Sequence, residues 1–293
     1  MTIKIQTLFF IVFLLSISFL PVFSQDLEGM KDQKPVRVSG RVGLSTQTYN
    51  TNRSNPSRDP FIWSFHGNTT IDLYGVTMPF NFVISQKQQD FRQPFNQFGL
   101  SPYYKWLQLH LGYRSMVFSQ YTLNGHVFNG AGVEANPGIF RFGVMYGRFL
   151  KPIEEDTMNI EGIQPAYRRM GYSVKVGAGS HTNFVDLVLF KGWDDVNSIT
   201  RPVDSAAVNP EANLVIGLKS QQRIWNNVVF DLDFGLSGYT SNIYASGPPR
   251  DDIVFSGLIR DLLETNYSTQ FLKAGSAGLS FRINPVLIKL QYQ

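Results

Sequence analysis

The 293-residue chain has no cysteine, so neither a disulfide nor a cysteine-ligated zinc site contributes to it. Charged residues make up only 16% of the chain, against roughly a quarter in soluble domains. The net charge of +4 is too small and too dispersed to indicate nucleic-acid binding. After the N-terminus, no apolar run approaches the roughly 20 residues that a membrane-spanning helix needs. Aromatic residues are plentiful, at 14%, which excludes a disordered protein.

The N-terminus has the features of a secretory signal peptide. Residues 1–4 form a short basic start, and residues 8–23 form an apolar stretch. Val22 and Ser24 then occupy the −3 and −1 positions relative to a cleavage site, where short side chains are preferred. We expect cleavage after Ser24 and export from the cytoplasm. An uncleaved membrane anchor is the alternative, which the short apolar run and its proline disfavour.

A period-two alternation of apolar and polar residues runs through most of the remaining chain and predicts β-strands. Residues 170–178 have Met, Tyr, Val, Val and Ala at even positions, and Gly, Ser, Lys and Gly at odd positions. The same alternation recurs in residues 36–44, 107–114, 140–146, 214–218, 228–237, 277–283 and 286–292. The chain is therefore expected to be an all-β protein.

The apolar stripes have the length and the flanking residues expected of strands that cross a membrane. Each stripe covers four or five alternate positions, so a strand spans about 9–11 residues, the length that crosses a bilayer. The polar stripes are rich in Gly and Ser, whereas a solvated sheet face favours Thr, Lys and Glu. These features predict an antiparallel transmembrane β-barrel whose apolar face contacts lipid. Aromatic residues near the strand ends are expected to form interfacial girdles: Tyr103, Tyr104, Trp106, Trp193, Trp225 and Tyr239.

Short and long connections alternate along the chain, as they do in outer-membrane barrels with short periplasmic turns and long external loops. Short turns are expected at residues 136–138, 177–183, 220–227 and 284–285, and long loops at residues 49–60, 150–168, 191–213 and 240–270. The predicted domains are a signal peptide, a short periplasmic segment and an outer-membrane barrel, over residues 1–24, 25–35 and 36–293.

We expect about 12–14 strands, with one irregular region. Only three strands are predicted between the short turns near residues 75–79 and 136–138: residues 80–86, 103–113 and 126–135. An up-and-down barrel needs an even number of strands there. A further strand or an in-folded loop must therefore lie in residues 87–102 or 115–124.

The last predicted strand, residues 286–292, follows a short turn and therefore rises away from the periplasm. A complete bacterial barrel begins and ends in the periplasm, and its last residue is usually aromatic, whereas this chain ends in Gln293. We expect the chain to be the N-terminal part of a longer barrel, or a barrel that another component closes.

Several short motifs resemble those of a group of outer-membrane β-barrel proteins from Bacteroidota-type bacteria. They are LGYR at residues 111–114, GAGVEANPG at 130–138, RFG at 141–143 and MYGR at 145–148. The resemblance covers most of the chain after the signal peptide. It implies a barrel fold and a location in the outer membrane of a Gram-negative cell, and it brings no characterised activity and no catalytic residues.

By alternation, a set of charged side chains and one histidine faces the barrel interior. These predicted lumen-lining residues are Arg37, Arg41, Asp72, His110, Arg141, Arg169, Lys175, Lys219, Asp231, Asp233, Arg282 and Lys289. Cations outnumber carboxylates in this set, so a water-filled interior would favour anions. The alternative is that the opposite charges pair and neutralise each other, as Lys219 and Asp233 on neighbouring strands would.

Residues that would carry catalysis or bind a metal are few. The four histidines are not at metal-ligand spacing, so no metal or other cofactor is expected. Ser180 and His181 resemble part of the Ser–His pair of a barrel lipase, but they fall in a predicted short turn without a third member. In the longest loop, residues 251–264 have apolar residues at helical spacing and predict an amphipathic helix that covers other loop residues.

The leading hypothesis is a non-enzymatic outer-membrane barrel, either a passive porin-like channel for small solutes or a surface scaffold for other envelope proteins. Its partners would be outer-membrane lipid and those solutes or proteins, and not nucleic acid. One alternative is a lipase-like barrel hydrolase, which needs Ser and His converging on one outer strand pair. The other is a secreted soluble β-sandwich that binds glycans through its aromatic residues.

Overall fold

The computed structural model describes residues 36–52, 59–86, 96–154, 165–200, 208–225, 227–249, 262–283 and 286–292. These residues form one antiparallel sheet. Its strands are β1 (Val36–Thr48), β2 (Phe61–Leu73), β3 (Val76–Ser85), β4 (Gln97–Leu100), β5 (Tyr103–Tyr104), β6 (Leu107–Val117), β7 (Asn124–Ala135), β8 (Phe140–Leu150), β9 (Arg168–Gly179), β10 (Phe184–Asp195), β11 (Ala212–Trp225), β12 (Val228–Thr240), β13 (Thr269–Ile283) and β14 (Val286–Tyr292). The predicted signal peptide, the periplasmic segment and the side chain of Trp225 lie outside the described residues.

The sheet curls into an up-and-down barrel. Its hydrogen-bonded order runs from β1 to β14 along the chain, and most strands are long enough to cross a bilayer, from 10 residues in β3 to 15 in β13. Curling brings the β6–β7 connection against β12, where the Ser119 hydroxyl donates a hydrogen bond to Asp233, 114 residues further along the chain. The predicted all-β antiparallel barrel is confirmed.

β4 and β5 together occupy one position in the sheet, between β3 and β6. β4 is the further strand predicted within residues 87–102. The number of strand positions between the short turns near residues 75–79 and 136–138 is therefore even. The prediction of a single strand over residues 103–113 is wrong, because Lys105 has a φ of 51° and the chain turns there. β5 therefore ends at Tyr104, and β6 starts at Leu107 as a separate strand.

The outer face of the barrel is apolar and exposed. In β8, the outward-facing Phe140, Phe142, Val144 and Tyr146 are between 36% and 55% exposed, whereas Met145 on the opposite face is fully buried. A soluble β-sandwich has the reverse arrangement, since its apolar side chains pack between two sheets. The predicted orientation, with the apolar stripe outward, is confirmed.

Three outward-facing aromatic side chains form a cluster toward the long-loop ends of β8, β9 and β10. The Trp193 ring lies 6.4 Å from that of Tyr146 and 6.1 Å from that of Tyr172, between ring centres. Such a cluster is typical of an interfacial girdle. The girdle prediction is wrong for Tyr103 and Tyr239, because their register places them on the inward-facing side of the sheet.

The end of the longest loop packs on the outer wall of the barrel. Leu263 is buried against Leu214, an outward-facing residue of β11, and Lys191 Nζ donates a hydrogen bond of 2.8 Å to the backbone oxygen of Leu262. The predicted amphipathic helix over residues 251–264 falls mostly outside the described residues and ends near these two leucines. Within the described ranges, no helix has the length and apolarity needed to span a membrane.

Candidate functional site

The connection between β6 and β7 turns inward and crosses the barrel interior. This inner segment, residues 118–123, is held to β12 by Asp233. The Asp233 carboxylate accepts hydrogen bonds from the Ser119 hydroxyl at 2.5 Å and from the Gln120 backbone N–H at 2.9 Å. Ser119 and Asp233 are both buried. The in-folded loop predicted as an alternative within residues 115–124 is therefore present together with β4.

Glycines on the inner wall make room for the inner segment. Cross-strand pairing places Gly143, Gly217 and Gly235 in one row across β8 to β12. A Cβ atom at each glycine would collide with the inner segment, at 2.6 Å from Phe118 for Gly143, 2.5 Å from Thr122 for Gly217 and 2.9 Å from Tyr121 for Gly235. This part of the glycine-rich stripe is thus a groove into which the inner segment fits.

Apolar side chains fill the interior beside the inner segment. Each member of this cluster is at most 3% exposed, and its members are Met116, Phe118, Leu123, Phe128, Met145 and Val188. Part of the interior is therefore a packed apolar core, which the polar stripes do not predict. Phe128 is the single apolar residue at the inward positions of β7, and Val188 is one of three on β10 with Phe184 and Phe190, so only the packed partners reveal their role.

Arg141 and Asp186 form a buried ion pair between β8 and β10. The guanidinium donates two hydrogen bonds to the carboxylate, at 2.7 Å and 3.0 Å, and lies over the Phe184 ring, 4.1 Å from its centre. Asp186 is 1% exposed, so without Arg141 its charge would be uncompensated in the interior. Asp186 is absent from the predicted lumen-lining set, although alternation along β10 places it inward.

Lys175, Glu134 and His110 form a second polar cluster. Lys175 Nζ donates a hydrogen bond of 3.2 Å to Glu134 and lies 4.6 Å from the centre of the Phe118 ring. This cation therefore also contacts the inner segment. His110 Nδ1 lies 3.1 Å from Ser101 Oγ, while its Nε2 lies 3.9 Å from the nearer Glu134 oxygen, which is beyond hydrogen-bonding distance.

Arg169 lies at the start of β9, at the long-loop end of the barrel, between two carboxylates. It donates hydrogen bonds to Asp194 at 2.8 Å and 2.9 Å and to Glu211 at 2.5 Å, so the cluster as a whole is negatively charged. Just before β9, burial raises the pKa of the Tyr167 phenol, and Tyr244 and Asp194 raise it further. Neither Asp194 nor Glu211 belongs to the predicted set.

The predicted residues on β1 and β2 lie away from the inner segment, whereas Lys289 on β14 lines a cavity together with Gln120 of that segment. Arg37 and Arg41 are exposed on β1, and Arg37 is the cross-strand neighbour of Asp72. Lys289 is exposed on β14. For Arg282 only the backbone is described, and its side chain lies outside the described residues.

The inner segment lies between two cavities of about 410 Å³ each. The outer cavity is lined by the long-loop ends of β7 to β12 and contacts Tyr121. The inner cavity lies beside β11 to β14, toward the end of the barrel with the short turns, and is lined by Gln120, Lys219, Asp231 and Lys289. Lys219 is the cross-strand neighbour of Asp233, as predicted. The Asp233 carboxylate, however, accepts its hydrogen bonds from the inner segment.

Neither Ser–His arrangement among the described residues has the geometry of a nucleophilic site. Ser101 and His110 are each 7% exposed, so the Ser101 hydroxyl is not presented to a substrate. The Ser180 hydroxyl instead accepts backbone hydrogen bonds from Thr182 and Asn183 in an exposed turn. No group of three or more His, Asp or Glu residues that could hold a metal ion occurs in the described part of the chain.

No known protein family matches the chain, and no curated protein matches it either. Among solved structures, the crystal structure of OccK8 (OprE) from Pseudomonas aeruginosa is similar, with a TM-score of 0.38 and 11% sequence identity, over 89% of this chain and 67% of that chain. A likeness this distant does not extend to function.

Proposed function

We propose that the chain is a non-enzymatic outer-membrane β-barrel, of the kind found in Bacteroidota-type bacteria, that passes small solutes passively beside its inner segment. The exposed apolar outer wall supports a bilayer location, and residues 1–24 would be the signal peptide for export. The observation that carries the proposal is the inner segment between two cavities, because such a constriction sets the size of the solutes that pass.

The membrane location predicts that the purified protein stays folded and monodisperse only with detergent. Its unheated form is expected to migrate differently from the heated form in gel electrophoresis, since a folded barrel resists the detergent until it is heated. A protein that stays monomeric and folded in plain buffer would contradict the proposal and support the soluble glycan-binding sandwich.

In planar bilayers the barrel is expected to give single-channel conductance with weak ion selectivity. The cations Arg141, Lys175 and Arg169 are each paired with carboxylates, and the inward-facing Asp186 and Asp194 offset the positive charge that alternation alone suggests. Reversal potentials in a salt gradient measure this selectivity. A strong preference for anions would mean that unpaired interior cations dominate. An inserted barrel without conductance would contradict the channel and support a scaffold for other envelope proteins.

The absence of enzymatic activity is tested with a fluorophosphonate probe, which labels activated serines in hydrolases. We expect no labelling of Ser101 or Ser180, because the first is buried and the second takes part in a turn. A Ser101→Ala variant is the matched control. Labelling that disappears in this variant would support the barrel hydrolase instead.

A further inference from the structure

Every charged residue at an outward-facing position of the described strands lies in the half of its strand next to the external loops. These residues are Arg148, Arg168, Lys191, Asp195 and Lys273. Four of the five are cations. The outer wall is therefore apolar toward the periplasmic ends of the strands and basic toward the external ends.

Two of these cations have only neutral hydrogen-bond partners among the described residues. Arg168 pairs with the carboxylate of Asp195, so its charge is compensated. Arg148 Nη2 instead donates to the Tyr113 hydroxyl at 2.9 Å, and Lys191 Nζ donates to a backbone oxygen at 2.8 Å. No carboxylate among the described residues therefore offsets the charge of Arg148 or Lys191 on the outer wall.

Arg148 and Lys191 flank the aromatic cluster of Tyr146, Tyr172 and Trp193. Cross-strand pairing places Arg148 in one row with Trp193, and Lys191 in the adjacent row with Tyr146 and Tyr172. From the spacing of strands and residues, the Cα atoms of the two cations lie about 12 Å apart. The five side chains form one surface, the basic aromatic patch, in which Tyr146 is 55% exposed.

We propose that the basic aromatic patch binds the phosphate groups of a phosphorylated glycolipid in the outer leaflet, an inference that rests on the proposed outer-membrane location. Arg and Lys form charge-assisted hydrogen bonds with phosphate oxygens. Aromatic side chains prefer the level of the lipid headgroups. A cation facing hydrocarbon is costly, so a phosphate partner at this level stabilises both Arg148 and Lys191.

The test is lipid retention by the detergent-solubilised full barrel, measured by native mass spectrometry after incubation with lipid A. The variant is Arg148→Gln/Lys191→Gln. Its matched control, Lys105→Gln/Arg223→Gln, removes two exposed cations from the periplasmic side of the barrel. We expect the affinity for lipid A to fall about fivefold for each substitution in the patch and to stay unchanged in the control.

Dephosphorylated lipid A is expected to bind the unsubstituted barrel as weakly as lipid A binds the patch variant. Equal binding of phosphorylated and dephosphorylated lipid A would overturn the proposal, and so would wild-type affinity in the patch variant. Lipid binding is measured only on preparations whose heat-dependent migration in gel electrophoresis shows a folded barrel. A failure of the lipid site is therefore distinct from a failure of the membrane location.

Discussion

Asp233→Ala is expected to raise the single-channel conductance severalfold, because it releases the inner segment from β12. Ser119 and Gln120 would each lose a charged acceptor, and hydrogen bonds to charged groups contribute about 1.5–3 kcal/mol each. The freed segment would leave its groove for part of the time, so that larger solutes pass. Conductance in planar bilayers and swelling of liposomes in neutral sugars of increasing size measure the two effects.

Asp231→Asn is the matched control for this variant. Asp231 lines the inner cavity on the same strand and bears the same charge, so its replacement reproduces the electrostatic change without freeing the inner segment. We expect its conductance to stay near that of the wild type. An equal rise in both variants would show that interior charge, and not the inner segment, limits the passage.

Arg141→Met is expected to destabilise the barrel by about 3–5 kcal/mol, because it leaves the carboxylate of Asp186 buried without a partner. Asp186 is 1% exposed, so water does not replace the two hydrogen bonds that the guanidinium donates. Urea-induced unfolding in lipid vesicles, followed by tryptophan fluorescence or by heat-dependent migration, measures the loss.

The double variant Arg141→Met/Asp186→Leu separates charge from packing. A buried ion pair replaced by apolar residues of similar volume is often neutral or stabilising. We therefore expect the double variant to recover most of the stability that the single variant loses. If it remains as unstable as Arg141→Met, the packing of the guanidinium over the Phe184 ring is the larger contribution.

The strands are predictable because a wall in lipid requires an apolar residue at every second position. The alternation over residues 170–178 lies within β9, and that over 228–237 lies within β12. β4 has only 4 residues, so two residues lie on each face. Two residues are too few to show an apolar–polar alternation in the sequence. The turn before β6 is also missed, because Lys105 adopts a positive φ that is uncommon for a residue other than glycine.

The contacts of the interior are only partly predictable, because they depend on the register of strands far apart in the chain. Alternation places Arg141 and Lys175 inward, but it does not show that Asp186 lies within hydrogen-bonding distance of Arg141. The row of Gly143, Gly217 and Gly235 becomes visible only when four separate strand pairings are known. Nothing in the local pattern of Ser119 indicates that its acceptor is Asp233.

The separation of 114 residues between Ser119 and Asp233 implies an order of events during assembly. Contacts between such distant residues form late, since the intervening chain must first be organised. The groove for the inner segment is built from β8 to β12, so the segment has no binding surface until those hairpins have joined. The interior of a nascent barrel therefore stays wide until β8 to β12 have joined, and docking of the inner segment marks the end of assembly.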